Sequence, residues 1–370
     1  MKYSQDAKQD ILGAEIEVKN LCKKFEDLLV IDHISFRIQK GEFLTLLGPS
    51  GSGKTTTLNL IAGFIFPTSG EILINGEPVE KKPTFKRDMG MVFQNYALFP
   101  HMTVAENIAF PLQRRKVQKM QITQKVGEML DLIQLSGYGK RMPHELSGGQ
   151  QQRVSLARAI VYEPSVLLMD EPLGSLDKKL RGQMQLEIKQ IQERFKITTI
   201  YVTHDQEEAL TMSDRIAVME NGQIAQIGTP EDLYEKPMSS FIADFVGETN
   251  ILHGEITERD GEASLFLTES NIRMRIELAE RTYVGEKISI SIRPEKLFFF
   301  EGKEAGSSPV SGVIQNVIYV GETTKYVIRL SIDKLIVLKR MNRFGVENYK
   351  RNDPVQIGFH PQDAKKVLVR

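Results

Sequence analysis

The chain has 370 residues, 41% apolar and 26% charged, which is more than one ordinary domain of ~150 residues and enough for two or three with real cores. Forty-eight Lys and Arg balance forty-eight Asp and Glu, so no overall positive field gathers nucleic acid or anionic membrane. The one cysteine, Cys22, excludes an internal disulfide and any Cys-based zinc site. Met1 to Glu15 is polar and lacks the apolar stretch of a secretory signal, and no run approaches the ~18 apolar residues of a membrane span. A cytosolic chain is expected, reaching a membrane only by docking to another protein. Residues 1–14 read as a solvated tail.

From residue 15 to residue 246, strand-like apolar runs alternate with helical patterns, which predicts an α/β domain. Phe43 to Leu47, Val166 to Met169 and Thr199 to Val202 are runs apolar enough for a parallel sheet covered on both faces. Between the last two, Leu176, Leu180, Met184, Ile188 and Ile191 recur at helical spacing and predict one buried helix face. Ile216–Met219 and Ile224–Ile227 flank Asn221-Gly222, a tight hairpin signal. Thr229-Pro230-Glu231-Asp232 then starts a helix. From residue 247 to residue 370 the texture is of short alternating strands, such as Ile288–Ile292, Tyr326–Ile328 and Leu335–Leu338, with a Gly/Ser/Pro loop over Glu304 to Ser311. A small all-β, barrel-like domain is expected there.

Gly48-Pro49-Ser50-Gly51-Ser52-Gly53-Lys54-Thr55 fits G-x-x-x-x-G-K-[ST] between an apolar strand and the helical run from Thr56 onward. Its glycines let successive N–H groups turn inward around an anion, and the positive end of the following helix favours phosphate. Lys54 supplies a point charge for the terminal phosphates, and the Thr55 hydroxyl is placed for Mg²⁺. A chance Gly-rich turn is the bland alternative, and the loop alone does not separate a kinase, a GTPase or a motor. Downstream, Asp170 and Glu171 end the second strand run. Side chains alternate along a strand, so Asp170 is expected to face the metal and Glu171 a water near the γ-phosphate. A solvated acidic strand end is the competing reading.

Leu146-Ser147-Gly148-Gly149-Gln150, followed by Gln151-Gln152-Arg153, resembles the signature of the ATP-binding cassette (ABC) ATPases. The bland reading of these residues is a Ser-Gly helix cap. The resemblance implies an α/β P-loop ABC ATPase domain with a helical signature subdomain, and a homodimer. Ser147, Gly148, Gly149 and Gln150 of one copy would close over ATP held by the P-loop of the other. It further implies Gln94, after Phe93, as the residue reaching Mg²⁺ and the attacking water, and His204 as the histidine contacting the γ-phosphate. Phe25 would stack on adenine, where the family often has Tyr; core packing is its rival role. Pro172-Leu173-Gly174-Ser175-Leu176-Asp177 departs from the usual P-L-S-A-L-D of related importers at Gly174 and Ser175 while keeping Asp177, in a loop that crosses the dimer interface.

Tyr96-Ala97-Leu98-Phe99-Pro100-His101 resembles the groove where importer ATPases hold a transmembrane subunit's helix, although such aromatics also suit a core. Phe245-Val246-Gly247-Glu248-Thr249-Asn250 and Ile292-Arg293-Pro294-Glu295 resemble motifs of the accessory OB-like (TOBE) domain of solute importers. That group includes the maltose, polyamine, sulfate and ferric-iron systems, and residues 245–251 look closest to the polyamine (spermidine/putrescine) branch. The implied partners are a second ATPase copy, two transmembrane permease subunits and, indirectly, an extracytoplasmic solute-binding protein, at the cytoplasmic face of the membrane. A soluble ABC protein acting on ribosomes or DNA would usually carry two cassettes or a coiled-coil insertion. OB-like folds often bind oligonucleotide, yet the tail from Gly247 holds 19 basic against 17 acidic residues, so no nucleic acid is expected.

Overall fold

The computed structural model describes residues 13–261, 263–279, 281–300, 302, 309–331, 334–344 and 349–369. The chain divides into two compact units between Pro230 and Glu231. All but Gly13 and Ala14 of the expected N-terminal tail lies outside the described residues.

In the first unit, β1 (Ile16–Phe25) and β2 (Leu28–Ile38) form an antiparallel hairpin extended by β4 (Ser69–Ile74) and β5 (Glu77–Pro78). Between them in sequence come β3 (Phe43–Leu47) and α1 (Lys54–Ala62). There follow β6 (Met89–Val92), α2 (Val104–Arg114), α3 (Lys119–Leu132), α4 (Gly148–Ile160), β7 (Val166–Asp170), α5 (Lys178–Phe195), β8 (Thr198–Thr203), α6 (Gln206–Met212), β9 (Arg215–Glu220) and β10 (Gln223–Gly228). The second sheet has the order β10-β9-β3-β8-β7-β6. It is parallel from β9 to β6, with β10 antiparallel at one edge.

The central strands are buried on both faces, as their unbroken apolar runs predict. Leu44 and Leu46 of β3, Leu168 of β7 and Ile200 and Val202 of β8 join a core with Ile16, Val18 and Leu21 of β1 and Leu58 and Ile61 of α1. The alternate residues Phe43, Leu167, Met169 and Tyr201 pack on the opposite side against Met184 and Ile188 of α5. Full burial of each such side chain contributes roughly 1.5–3 kcal/mol. Helices α2, α3 and α4 have a core of their own, built from Val104, Ile108, Leu112, Val126, Val154 and Ala157, which is the helical subdomain that carries the signature residues.

One local reading changes. Leu176 lies outside the helix that its spacing predicts: α5 starts at Lys178, capped by Asp177, whose carboxylate accepts from Leu180 N (3.0 Å). Helix α4 begins at Gly148, because Ser147 caps it. The hairpin at Asn221-Gly222 forms with both residues at positive φ, 49° and 78°, the pair a two-residue hairpin turn demands.

The second unit opens with two short helices, α7 (Pro230–Glu235, its first residue in the preceding unit) and α8 (Ser240–Phe245). The domain boundary read from the sequence at residue 247 differs from the compact division by these helices. They go with the β unit because the buried Arg293 donates to the carbonyls of Tyr234, Ala243, Gly247 and Glu248. Strands β11 (Asn250–Asp260), β12 (Ala263–Thr268), β13 (Arg273–Glu277), β14 (Lys287–Ile292), β15 (Phe298–Phe299), β16 (Val310–Tyr319), β17 (Thr323–Ser331), β18 (Lys334–Met341), β19 (Pro354–Gly358) and β20 (Lys365–Val367) follow. They form two five-stranded antiparallel sheets, ordered β13-β12-β11-β14-β20 and β15-β19-β16-β17-β18. Both sheets feed one core, with Leu252, Phe266, Ile276 and Ile290 from the first and Ile314, Tyr326, Ile328, Leu338 and Ile357 from the second. Asn250 ties the sheets by donating to Val337 O (2.8 Å) while accepting from Val337 N (2.7 Å). Of the expected loop over Glu304 to Ser311, residues 304–308 lie outside the described residues, and Val310 and Ser311 already belong to β16.

Candidate functional site

Register in the parallel sheet decides which side chains meet. Leu47 of β3 pairs with Thr203 of β8, Val202 with Asp170 of β7, and Met169 with Val92 of β6. The residues just past those strand ends are therefore brought to one edge: Gly48 after β3, His204 after β8, Asp170 and Glu171 at the end of β7, and Gln94 after β6. Ligands of open parallel sheets bind at this carboxyl edge.

Two glycines of the loop from Gly48 to Gly53 leave no room for a side chain. A Cβ on Gly48 would meet Met219 O at 2.4 Å, and one on Gly53, at φ 102°, would meet Ile31 Cδ1 at 2.5 Å. Gly51 also has positive φ, 80°, and is exposed. Pro49 and Ser50 are exposed on the same loop, Thr56 is half-buried, and Thr57 Oγ1 donates to Gly53 O (3.0 Å). Lys54 is buried, and its ammonium donates to Gly48 O (2.8 Å) and Pro49 O (2.9 Å). Burial holds its pKa below the ordinary lysine value, opposed by Glu171 and Asp170. Ser52 Oγ is buried without a partner among the described residues, an orphan that an anion in the loop would satisfy.

Opposite the lysine, Thr55 Oγ1 donates to Asp170 Oδ1 (2.9 Å). Burial raises the Asp170 pKa, with the Thr55 bond opposing and the Glu171 charge adding to the rise. A hydroxyl and a carboxylate side by side are the hard oxygen donors a small divalent cation takes, so the pair fits Mg²⁺. Glu171 does not continue the strand. It has φ 42°, and its amide still donates to Val202 O (2.9 Å). The alternation argument therefore fails at this residue: a left-handed turn, rather than strand pleating, aims its carboxylate, which lies 3.2 Å from His204 Nδ1.

Phe25 is 45% exposed, so the core-packing alternative is not its role; Lys23 Nζ lies 4.7 Å from its ring centroid. It ends β1, paired with Leu28, in the hairpin whose Val30 and Ile31 back Gly53. Gln94 is exposed two residues beyond β6. Ser147 is exposed and caps α4 in a reciprocal box, accepting from Gln150 N (3.4 Å) while Gln150 Oε1 accepts from Ser147 N (3.0 Å). Gly148 is exposed beside it, whereas Gly149 is buried against Leu180. Asp177 caps α5 as described, a structural task the motif comparison did not foresee.

Sequence reasoning missed the residues that brace this edge. Arg158 of α4 is buried and donates to Ala97 O (2.7 Å) and Tyr96 O (2.9 Å). Arg181 pairs with Asp205 (2.7 Å), whose carboxylate caps α6 directly after His204. Away from this edge, Arg87, just before β6, donates to Leu60 O and Ile61 O at the end of α1 (3.0 and 2.8 Å). In sequence these arginines look like solvated ones, because their acceptors come from distant segments.

The ABC transporter family profile matches residues 31–174, and the TOBE domain profile matches residues 290–365. The spermidine/putrescine import ATP-binding protein PotA of Rubrobacter xylanophilus is 45% identical over 99% of this chain and 96% of its own length. The PotA protein of Thermotoga maritima is 42% identical over 97% and 99%. Among solved structures, a dimeric bacterial ABC transporter cassette is 31% identical with a TM-score of 0.54, covering 58% of this chain and 98% of that one. The cbiO1 protein of Clostridium perfringens, part of the ABC transporter complex cbiONQ, is 28% identical with a TM-score of 0.57, covering 60% and 90%. The chain thus belongs to the ABC transporter family, as an ATPase whose cassette precedes a TOBE domain.

Proposed function

We propose that this ATPase powers import of polyamines, spermidine or putrescine, through partner permease subunits at the cytoplasmic face of the membrane. The names of its full-length relatives support the solute. No helix among the described residues is long and apolar enough to cross a membrane. The observation that carries the mechanism is the shared strand-end edge of Gly48, Asp170, Glu171, His204 and Gln94.

In this reading the loop amides from Gly48 to Gly53 and the Lys54 ammonium hold the ATP phosphates, and Phe25 offers its exposed ring to the adenine. Thr55 and Asp170, with Gln94, would hold Mg²⁺, which supplies charge neutralisation on the phosphates. Glu171 accepts the proton of the attacking water. His204, 3.2 Å from that carboxylate, orients it and faces the γ-phosphate. Ser147, Gly148, Gly149 and Gln150 of a second copy complete each site, and Asp177 lies at the junction. The binding energy of ATP favours the closed dimer over the open one, and that difference moves the permeases.

The test is uptake of labelled spermidine and putrescine by cells lacking this chain, and by the same cells given it back intact or as Glu171→Gln. Uptake restored only by the intact chain is the expected result. Unchanged polyamine uptake in the deleted cells would refute the solute, and full restoration by Glu171→Gln would refute the assignment of the base.

A further inference from the structure

Tyr96 and Ala97 stand at φ 61° and 46°, two consecutive residues with a Cβ in the left-handed region. Such a pair persists only where its surroundings over-determine it. The carbonyls are fixed from α4: Ser155 Oγ and Arg158 Nη2 both donate to Tyr96 O (2.9 Å each), and Arg158 Nη1 donates to Ala97 O (2.7 Å). The side chain is fixed from elsewhere. The Tyr96 ring is buried, and its hydroxyl shares a 2.6 Å hydrogen bond with Ser175 Oγ. Ser175 is one of the two positions where this sequence departs from P-L-S-A-L-D. Alanine in that place, as in the P-L-S-A-L-D pattern, would have no hydroxyl to offer, so the bond depends on Ser175. The first residue of α4 looks onto the same point: a Cβ on Gly148 would lie 3.6 Å from Leu176 Cδ2 and 4.0 Å from Tyr96 Oη. Three segments of one chain, those after β6 and β7 and the start of the signature helix, therefore converge on one phenol.

We infer that Ser175 is a positioning residue for ATP hydrolysis, acting through Tyr96 on Gln94. Gln94 lies two residues before Tyr96, and Ser175 lies between Glu171 and Asp177. The bond ties the segment bearing Gln94 to the segment bearing the hydrolytic carboxylate. Without it the carbonyl bonds from α4 still hold the left-handed backbone, but the ring loses its second anchor and the segment bearing Gln94 gains freedom of movement. The Gly48–Thr55 loop is untouched, so turnover suffers and ATP binding does not. The inference rests on the role of Gln94 proposed above, and its test separates the two.

The experiment is steady-state ATP hydrolysis by the full-length protein over a range of ATP concentrations. It compares the parent with Ser175→Ala, Tyr96→Phe, the double variant, Ser175→Thr and Gln94→Ala, with thermal midpoints recorded alongside. One neutral hydrogen bond converts to a loss of about 3- to 10-fold in kcat for Ser175→Ala and for Tyr96→Phe, with KM for ATP within about twofold. The double variant should be no slower than the slower single one, because both remove the same bond. Ser175→Thr, which keeps the hydroxyl, should recover the parent rate. Unchanged kcat, additive losses, a change confined to KM or failure of threonine to rescue would each overturn the inference. A Gln94→Ala variant with parent kcat would overturn the role of Gln94 as well, whereas a slow Gln94→Ala beside a fast Ser175→Ala would sink the inference alone.

Discussion

Arg293 is the point where one substitution should release two helices. Its guanidinium is buried, with Nη1 donating to Ala243 O (2.6 Å), Gly247 O (3.0 Å) and Glu248 O (3.1 Å), and Nη2 donating to Tyr234 O (2.9 Å). Tyr234 and Ala243 lie in the last turns of α7 and α8, where unpaired carbonyls concentrate negative potential and a cation is favoured. The guanidinium also sits 4.1 Å from the centroid of the Tyr234 ring. Burial lowers the arginine's pKa, and the neighbouring Tyr234, Glu295, Glu235 and Asp244 oppose that shift. In Arg293→Met the exposed Glu248 carbonyl and the half-buried Gly247 carbonyl turn to water. Ala243 O is buried and Tyr234 O is held in its helix, and leaving each without a donor costs ~1–3 kcal/mol, about 3 kcal/mol together once the relieved desolvation of the cation is set against it. The loss is local, so hydrogen exchange is the assay. The amides of Ala243 and Val246 donate to Ser239 O and Ile242 O within α8 and report its opening. Their exchange should accelerate about 100-fold, since each ~1.4 kcal/mol is a factor of ten. Arg293→Lys, which keeps the charge and loses the fork, should fall between. Exchange within about threefold of the parent in Arg293→Met would refute the clamp.

Gly53→Ala places a methyl 2.5 Å from Ile31 Cδ1 at φ 102°, which costs about 2–5 kcal/mol in strain and overpacking if the loop keeps its shape. ATP affinity measured by fluorescent-nucleotide titration should collapse, and truncating Ile31 to Ala should restore only part of it, because the backbone strain remains. Glu171→Gln should cut ATP turnover by about 10²- to 10⁴-fold while ATP affinity holds, and a parent rate measured by phosphate release would assign the base elsewhere. Glu208 is buried and accepts from Tyr201 Oη (2.8 Å) and Thr203 Oγ1 (2.7 Å), and burial raises its pKa above 4.5. The folded state then holds its proton more tightly than the unfolded chain, so this group's contribution to stability falls as pH rises through the window just above 4.5. Glu208→Gln lacks that fall, and chemical-denaturation curves should show the parent losing stability relative to the variant across that window; a constant difference would contradict the reading.

What was legible in the sequence follows from how locally each feature is determined. The phosphate loop expected from the sequence needs closely spaced glycines, a lysine and a hydroxyl, and those requirements are written in eight adjacent residues. The buried parallel strands were legible because both faces are covered, which leaves unbroken apolar runs such as Phe43–Leu47, and the observed strand has those bounds. The Ser147–Gln150 cap is also local, an S-x-x-Q box, and it sets the helix start at Gly148. Reasoning by period failed where the backbone leaves its period: Glu171 sits one residue beyond its strand at φ 42°, so pleating says nothing of where its carboxylate points. The bracing cations were hidden for a different reason. Arg158 and Arg293 carry full charges into the interior, which is tolerable only because carbonyls from Tyr96 and Ala97, or from Tyr234 and Ala243, converge on them from about fifty to sixty residues away in sequence. No spacing rule encodes such an encounter. A buried arginine looks like a solvated one until the chain that supplies its acceptors has folded around it, and the loops it holds, including the one bearing Gln94, take their geometry from that event rather than from their own residues.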